Sequence, residues 1–210
     1  NESLIMYPSG YKEAKLYSQR PTDGIGDFTV SRNSVATRIN VDGLIEEVGT
    51  NIPRLDYSDG GCPVLLTEPQ STNLVTYSED YTDVNTWIKG GVTLDSNNII
   101  SPDGTKNASK LIISGGTPYL GNTKILTAGN TYTVSCFVKK GTNRWVRLTN
   151  ITSGTTGAWF DLENKVVGSR SASSLSSSIK SYGNDWYKIE NTFIAQSGSA
   201  NTFLVLSDSN

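Results

Sequence analysis

The chain contains no histidine. That removes Ser–His–Asp and Cys–His nucleophilic catalysis, and with them every zinc site that relies on imidazole. Cysteine is almost as scarce, with Cys62 and Cys136 in unlike settings. Two such residues make neither a structural zinc site nor the disulfide framework of a small secreted scaffold. Cys136 stands inside the apolar run TYTVSCFVKK, where a buried thiol is expected. No stretch approaches the roughly 20 apolar residues of a membrane-spanning helix, and no signal peptide opens the sequence. Lys and Arg number 18 against 20 Asp and Glu, a net charge of −2. A broad basic footprint is therefore missing, and no nucleic-acid partner is expected. Gly24-Ile25-Gly26 has neither the spacing nor the strand–helix context of a phosphate-binding loop.

What the chain does have is turn and strand chemistry. Ser, Thr, Asn and Gly make up about two-fifths of its 210 residues, a composition suited to short strands joined by many turns. A chain of this length can bury a real core and could hold one large or two small domains. Pro8, Gly10, Pro21, Gly24 and Gly26 punctuate the first 27 residues too densely for a long helix. An extended arm is expected there, with at most a helical turn over 12–17. Alternation begins at Phe28, Val30 and Arg32 and continues through Val35, Thr37 and Ile39. Asp42-Gly43 then separates two β-prone runs, a strong hairpin signal. Ile52 precedes Pro53 and is pushed toward extended backbone.

From Trp87 onward the pattern reads as one antiparallel sandwich. Strands are expected near 110–113, 131–139, 144–150, 158–162, 165–167, 179–182, 186–193 and 202–206. The serine-rich stretch 169–178 reads as an exposed loop. Tyr132, Val134, Cys136 and Val138 share one face at period two. If Val146 and Leu148 point inward, Trp145 and Arg147 point outward, and Trp159 raises the same question beside Phe160. Trp87 and Trp186 read as core aromatics, and Trp145 is expected to be more exposed than Trp186.

Glycoside hydrolysis survives the missing histidine, because it needs only two carboxyl groups. Glu46, Glu47, Glu68, Glu79 and Asp80 are available, but Glu46 and Glu47 flank a hairpin and Glu79-Asp80 opens a polar turn. No acidic cluster lined by aromatics is evident, and no catalytic residue is assigned.

Two stretches carry a resemblance. SRNSVATRIN, DGLIEEV, NIPRLDY and LLTEPQSTNLVTYSED, within residues 28–80, resemble a segment recurrent in bacteriophage virion proteins, especially tail-fibre-like and spike-like structural chains. AGNTYTVSCFVKKG, RWVRLTN, GAWFDLENKVVGS and SYGNDWYKIENTF resemble the galactose-binding-like sandwiches of carbohydrate-binding modules. Together they imply an all-β chain in two parts. Residues 1–80 would form an arm and β-hairpin region for assembly, and residues 81–210 an antiparallel jelly-roll β-sandwich, cut before its last strand in a longer polypeptide. The implied role is non-catalytic: a virion structural protein of fibre, spike or decoration type, on the outer surface of the particle. Its sandwich would either bind host-surface glycan or serve as a protein–protein building block, its other partners would be virion proteins, and its assembly a homo-oligomer, with a trimer favoured. The alternatives are a secreted bacterial carbohydrate-binding module of a larger enzyme and, behind it, a glycoside hydrolase.

On such a sandwich, Trp145, Arg147, Trp159 and Tyr119 are the candidate glycan contacts, since an exposed ring stacks on the apolar face of a sugar. Interface or core packing is the competing reading for the two tryptophans. No cofactor is implied beyond a structural calcium ion, which sandwiches of this kind often hold. Asp95, Asp103 and Asp161 lie in or beside turns that could supply its hard oxygen ligands. Each also reads as a turn residue bonding its own backbone.

Overall fold

The computed structural model describes residues 10–12, 15–17, 28–151, 155–196 and 199–207. Among them there is no helix, and all strand pairing is antiparallel. The chain is all-β and divides into two units, Asn1–Ser71 and Thr72–Asn210. The expected division after residue 80 thus falls nine residues later than the observed one.

Among its described residues the first unit carries seven short strands: β1 (Gly10–Lys12), β2 (Lys15–Tyr17), β3 (Phe28–Thr29), β4 (Ala36–Ile39), β5 (Ile45–Val48), β6 (Leu55–Asp56) and β7 (Val64–Leu65). β1, β2 and β3 form one small sheet, so the helical turn expected over 12–17 is replaced by strand pairing. The hairpin expected at Asp42-Gly43 forms, joining β4 to β5. Gly43 supplies φ +77°, and the Asn40 side chain accepts from the amides of Asp42 and Leu44, each at 3.0 Å.

The strand expected to run from Phe28 through Arg32 breaks after Thr29, because Arg32 has another task. Its guanidinium Nη2 donates to the carbonyls of Val48, Gly49 and Ile52, at 3.2, 2.5 and 3.1 Å. It thereby gathers the backbone leading from β5 to β6. Ile39, Val48, Pro53 and Leu55 are buried, while Val35, Val41 and Val64 remain half or more exposed. Leu4 and Ile5, which share the apolar character of this region, lie outside the described residues.

The second unit is the sandwich. Its strands are β8 (Trp87–Gly90), β9 (Val92–Ile99), β10 (Ala108–Ile113), β11 (Tyr119–Ile125), β12 (Thr131–Lys139), β13 (Trp145–Ile151), β14 (Thr155–Asp161), β15 (Val166–Arg170), β16 (Ser174–Ser181), β17 (Trp186–Ile194) and β18 (Ser199–Ser207). A six-stranded sheet has the order β15-β14-β13-β18-β11-β8, and a three-stranded sheet the order β12-β17-β16. Among the described residues β9 and β10 pair with each other alone. The two larger sheets bury one core between them. Val146, Leu148, Ala158 and Phe160 from one meet Val138, Tyr187 and Ile189 from the other. Burying an aliphatic or aromatic side chain of this size is worth roughly 1.5–3 kcal/mol, so this set anchors the sandwich.

The stretch 169–178 is not the exposed loop its serines suggest: β16 starts at Ser174. Ser174 is buried with its hydroxyl donating to the Gly157 carbonyl, and Ile179 packs on the core. Small hydroxyl side chains can sit in a strand when each finds an acceptor, and β16 gains its pairing along β17. Both cysteines are free, Cys62 exposed and Cys136 packed against the core. Burial pushes the Cys136 thiol up to about 12. None of the described segments is a helix long and apolar enough to cross a membrane.

Candidate functional site

The six-stranded sheet has one face toward the core and one away from it. Val146 and Leu148 of β13, and Ala158 and Phe160 of β14, are buried. By period two, Trp145, Arg147 and Trp159 therefore take the outward face, and all three are half-buried. Leu120 of β11 is buried, which sends Tyr119 to the same outward side. Trp186, in contrast, is 8% exposed, and its indole Nε1 donates to the Ile100 carbonyl at 3.0 Å. The expected order of exposure between Trp145 and Trp186 is the observed one.

The register then aligns these residues. Trp159 on β14 pairs with Arg147 on β13, Arg147 with Val205 on β18, Val205 with Tyr119 on β11, and Tyr119 with Gly90 on β8. Residues directly opposite in an antiparallel ladder share a face, so this is one continuous row across five strands. In the adjoining row, Asp161 pairs with Trp145, and Trp145 with Ser207. The four candidate contact residues, scattered over 41 positions of sequence, thus occupy two neighbouring rows of one surface.

Local packing fixes each ring. The guanidinium of Arg147 lies 5.7 Å from the centroid of the Trp159 ring, and that of Arg144 lies 5.4 Å from Trp145, both within cation–π range. The Tyr119 ring lies against Gly90, where a Cβ would collide with its Cε1 and Cζ atoms. Gly90 therefore acts as a floor for the ring, a role no other residue could fill without displacing it. Arg147 has no carboxylate or carbonyl acceptor among the described residues. Its Nε is shut off from solvent without a hydrogen-bond partner.

The three aspartates expected near a metal are placed apart in function. Asp161 is buried and accepts from Arg144 through Nε at 3.0 Å and Nη2 at 2.6 Å. It also accepts from the backbone amides of Glu163 and Asn164 and from the Asn164 side chain. The Arg144 guanidinium, helped by these amides, holds its carboxyl well below the usual carboxylate range. Asp103 accepts from the Ser101 hydroxyl at 2.6 Å, from the Thr105 amide at 2.7 Å and hydroxyl at 2.8 Å, and from Asn107 at 3.1 Å. Burial works against its ionised form, but these donors outweigh it and lower the pKa. Asp95 accepts from the Asn98 amide at 2.5 Å. Among the described residues, no group of three or more His, Cys, Asp or Glu could hold a metal ion. Asp161 and Asp103 organise turns, whereas Asp95, expected in or beside a turn, lies within β9 and pairs with Lys110 of β10.

The hydrolase candidates are similarly engaged or isolated. Glu46 pairs with Arg38 across the β4–β5 hairpin, and Glu68 with Arg54 at 2.7 Å. Asp80 accepts from Thr82, and Glu47 and Glu79 are exposed.

No family model matches the chain, and no curated protein matches it. Parity along β13 put Trp145 and Arg147 on the outward face, but nothing in the sequence pointed to Gly90 beneath the Tyr119 ring. That contribution comes from a strand pairing across 29 residues of sequence.

Proposed function

We propose that this chain is a non-catalytic structural protein of a bacteriophage virion, of fibre, spike or decoration type, whose jelly-roll-related sandwich binds host-surface glycan. The observation that carries the binding reading is the outward row Trp159–Arg147–Val205–Tyr119. Two flat rings flank a cation on a rigid sheet, and sugars are held by rings that stack on their apolar faces with polar groups reading the hydroxyls. A sheet face positions such groups more rigidly than loops do.

The virion reading is supported by the resemblance of residues 28–80 to structural chains of phage particles. The first unit then serves attachment to other virion proteins, and the sandwich faces the host. Nothing in the engaged carboxylates described above favours hydrolysis.

Two measurements test the two halves separately. Mass spectrometry of purified virions should find this polypeptide; its absence from particles would favour a secreted bacterial binding module. A bacterial-polysaccharide array probed with the intact protein should give retention that Trp159→Ala removes. Release of reducing ends from any retained polysaccharide would overturn the non-catalytic reading.

A further inference from the structure

We infer that the ligand of the outward face is an acidic oligosaccharide, laid across the strands with a carboxylate at Arg147 and sugar rings on Trp159 and Tyr119. The inference rests on the glycan reading above and names the ligand's chemistry. It starts from Arg147, an outward-facing arginine with no carboxylate or carbonyl acceptor among the described residues. Elsewhere the paired arginines meet acceptors of the protein's own: Arg32 holds three carbonyls, Arg38 holds Glu46, Arg54 holds Glu68, and Arg144 holds Asp161. Arg147 is fixed by its place on an inner strand of the sheet and by Trp159; its Nε–H is covered, and its terminal nitrogens meet no acceptor among the described residues. A planar guanidinium presents five donors in a fork that matches a carboxylate through two parallel hydrogen bonds. With Nε covered, the two terminal nitrogens are the edge that a ligand carboxylate can meet, and they have no acceptor among the described residues.

The rest of the face permits an anion. Asp161 stands in the next row, but Arg144 neutralises it, and Glu163 pairs with Lys140 and Arg144 at 3.4 and 3.8 Å. The remaining members of the Arg147 row, Trp159, Val205, Tyr119 and Gly90, carry no charge. A neutral sugar would leave the Arg147 fork without a charged acceptor, which favours an acid over its neutral counterpart.

The dimensions argue for an oligomer. β14 and β11 are separated by β13 and β18, three inter-strand steps of about 4.8 Å, or about 14 Å. One pyranose ring cannot touch both aromatic residues across that distance. A chain of several sugars lying perpendicular to the strands can, with its acid group near the middle. Hexuronic and nonulosonic acids both present the required carboxylate, and the test includes each.

The intact protein is titrated with bacterial polysaccharides containing hexuronic or nonulosonic acid, and with the carboxyl-reduced derivative of each. Binding of at least one native acid should exceed that of its reduced form by tenfold or more. Arg147→Met, which keeps the apolar stem, should bring the native polysaccharide down to the level of the reduced one. Arg147→Lys should recover only part, because an ammonium lacks the fork. If Arg147→Met lowers the melting temperature, the comparison of native and reduced ligand on the unaltered protein decides alone. Equal binding of native and reduced forms would overturn the acidic ligand while leaving the glycan reading intact. No binding of any polysaccharide would overturn both.

Discussion

Arg144 grips Asp161 through Nε and Nη2 while its guanidinium lies 5.4 Å from the Trp145 ring. One side chain thus neutralises a buried carboxylate at the end of β14 and supports an outward ring at the start of β13. The turn that follows uses the same carboxylate, because Asp161 also accepts from the amides of Glu163 and Asn164. Asp161 is a structural hub beside the outward face of the sheet.

A pH signature follows from that arrangement. A carboxyl held below its ordinary value of 3.8 contributes stability that is fully present above that pH and is lost as pH falls further. Asp161→Asn should therefore lower the melting temperature at neutral pH, by roughly 4–10 °C. The gap between the variant and the unaltered protein should narrow below pH of about 4. Thermal unfolding followed by circular dichroism between pH 7 and pH 2 checks this. A gap that stays constant across the range would show that the ionised form of Asp161 is not what matters.

Gly90 gives a second prediction. Any side chain at this position enters the space of the Tyr119 ring. Gly90→Val should weaken glycan binding roughly tenfold, the order expected for losing one stacking ring. Added to Tyr119→Ala, it should weaken binding no further, because both changes remove the same contact. Additive losses in the double variant would mean that Gly90 acts some other way.

The two thiols should differ sharply in reactivity. Cys62 is exposed, and the Cys136 thiol is pushed up to about 12 by burial. Since the thiolate is the reacting species, a disulfide reagent at pH 8 should label Cys62 in the folded protein and Cys136 only after denaturation. Labelling of Cys136 at the rate of Cys62 would contradict the packing of β12 on the sandwich core.

Much of this architecture was legible in the sequence, for physical reasons that vary by element. The β4–β5 hairpin announces itself because Asp42-Gly43 supplies the turn residue and the flanking runs supply the strands. Period two placed Trp145 and Arg147 opposite Val146 and Leu148 because β13 runs without a bulge against β14 and β18. β16 was hidden because its strand character lies in pairing with β17 and in hydroxyl contacts, neither of which leaves an apolar pattern in Ser-Leu-Ser-Ser-Ser. β11 was hidden similarly: Gly121 and Asn122 are buried in its centre, and the Asn122 side chain donates to the Thr86 carbonyl, 36 residues away. The state of Arg147 was beyond reach, since an arginine's missing partner is visible only once every neighbour is in place.

Assembly is a further expectation. Val35, Val41 and Val64 are 55%, 73% and 50% exposed, although strands as short as these bury little unaided. We propose that a repeated surface of this first unit closes a homotrimer, as cyclic symmetry allows. Sedimentation equilibrium at micromolar concentration should return the mass of three chains. A single species of one chain's mass would refute it.

Whether the outward face of the six-stranded sheet binds glycan can be read from a single titration. A polysaccharide retained by the unaltered protein is titrated calorimetrically against that protein and against Trp159→Ala. Trp159 is half-buried on the side away from the core, so its truncation should shift the melting temperature by no more than about 3 °C. The account predicts at least a tenfold loss of affinity with the fold intact. Unchanged affinity in a folded Trp159→Ala protein would contradict it.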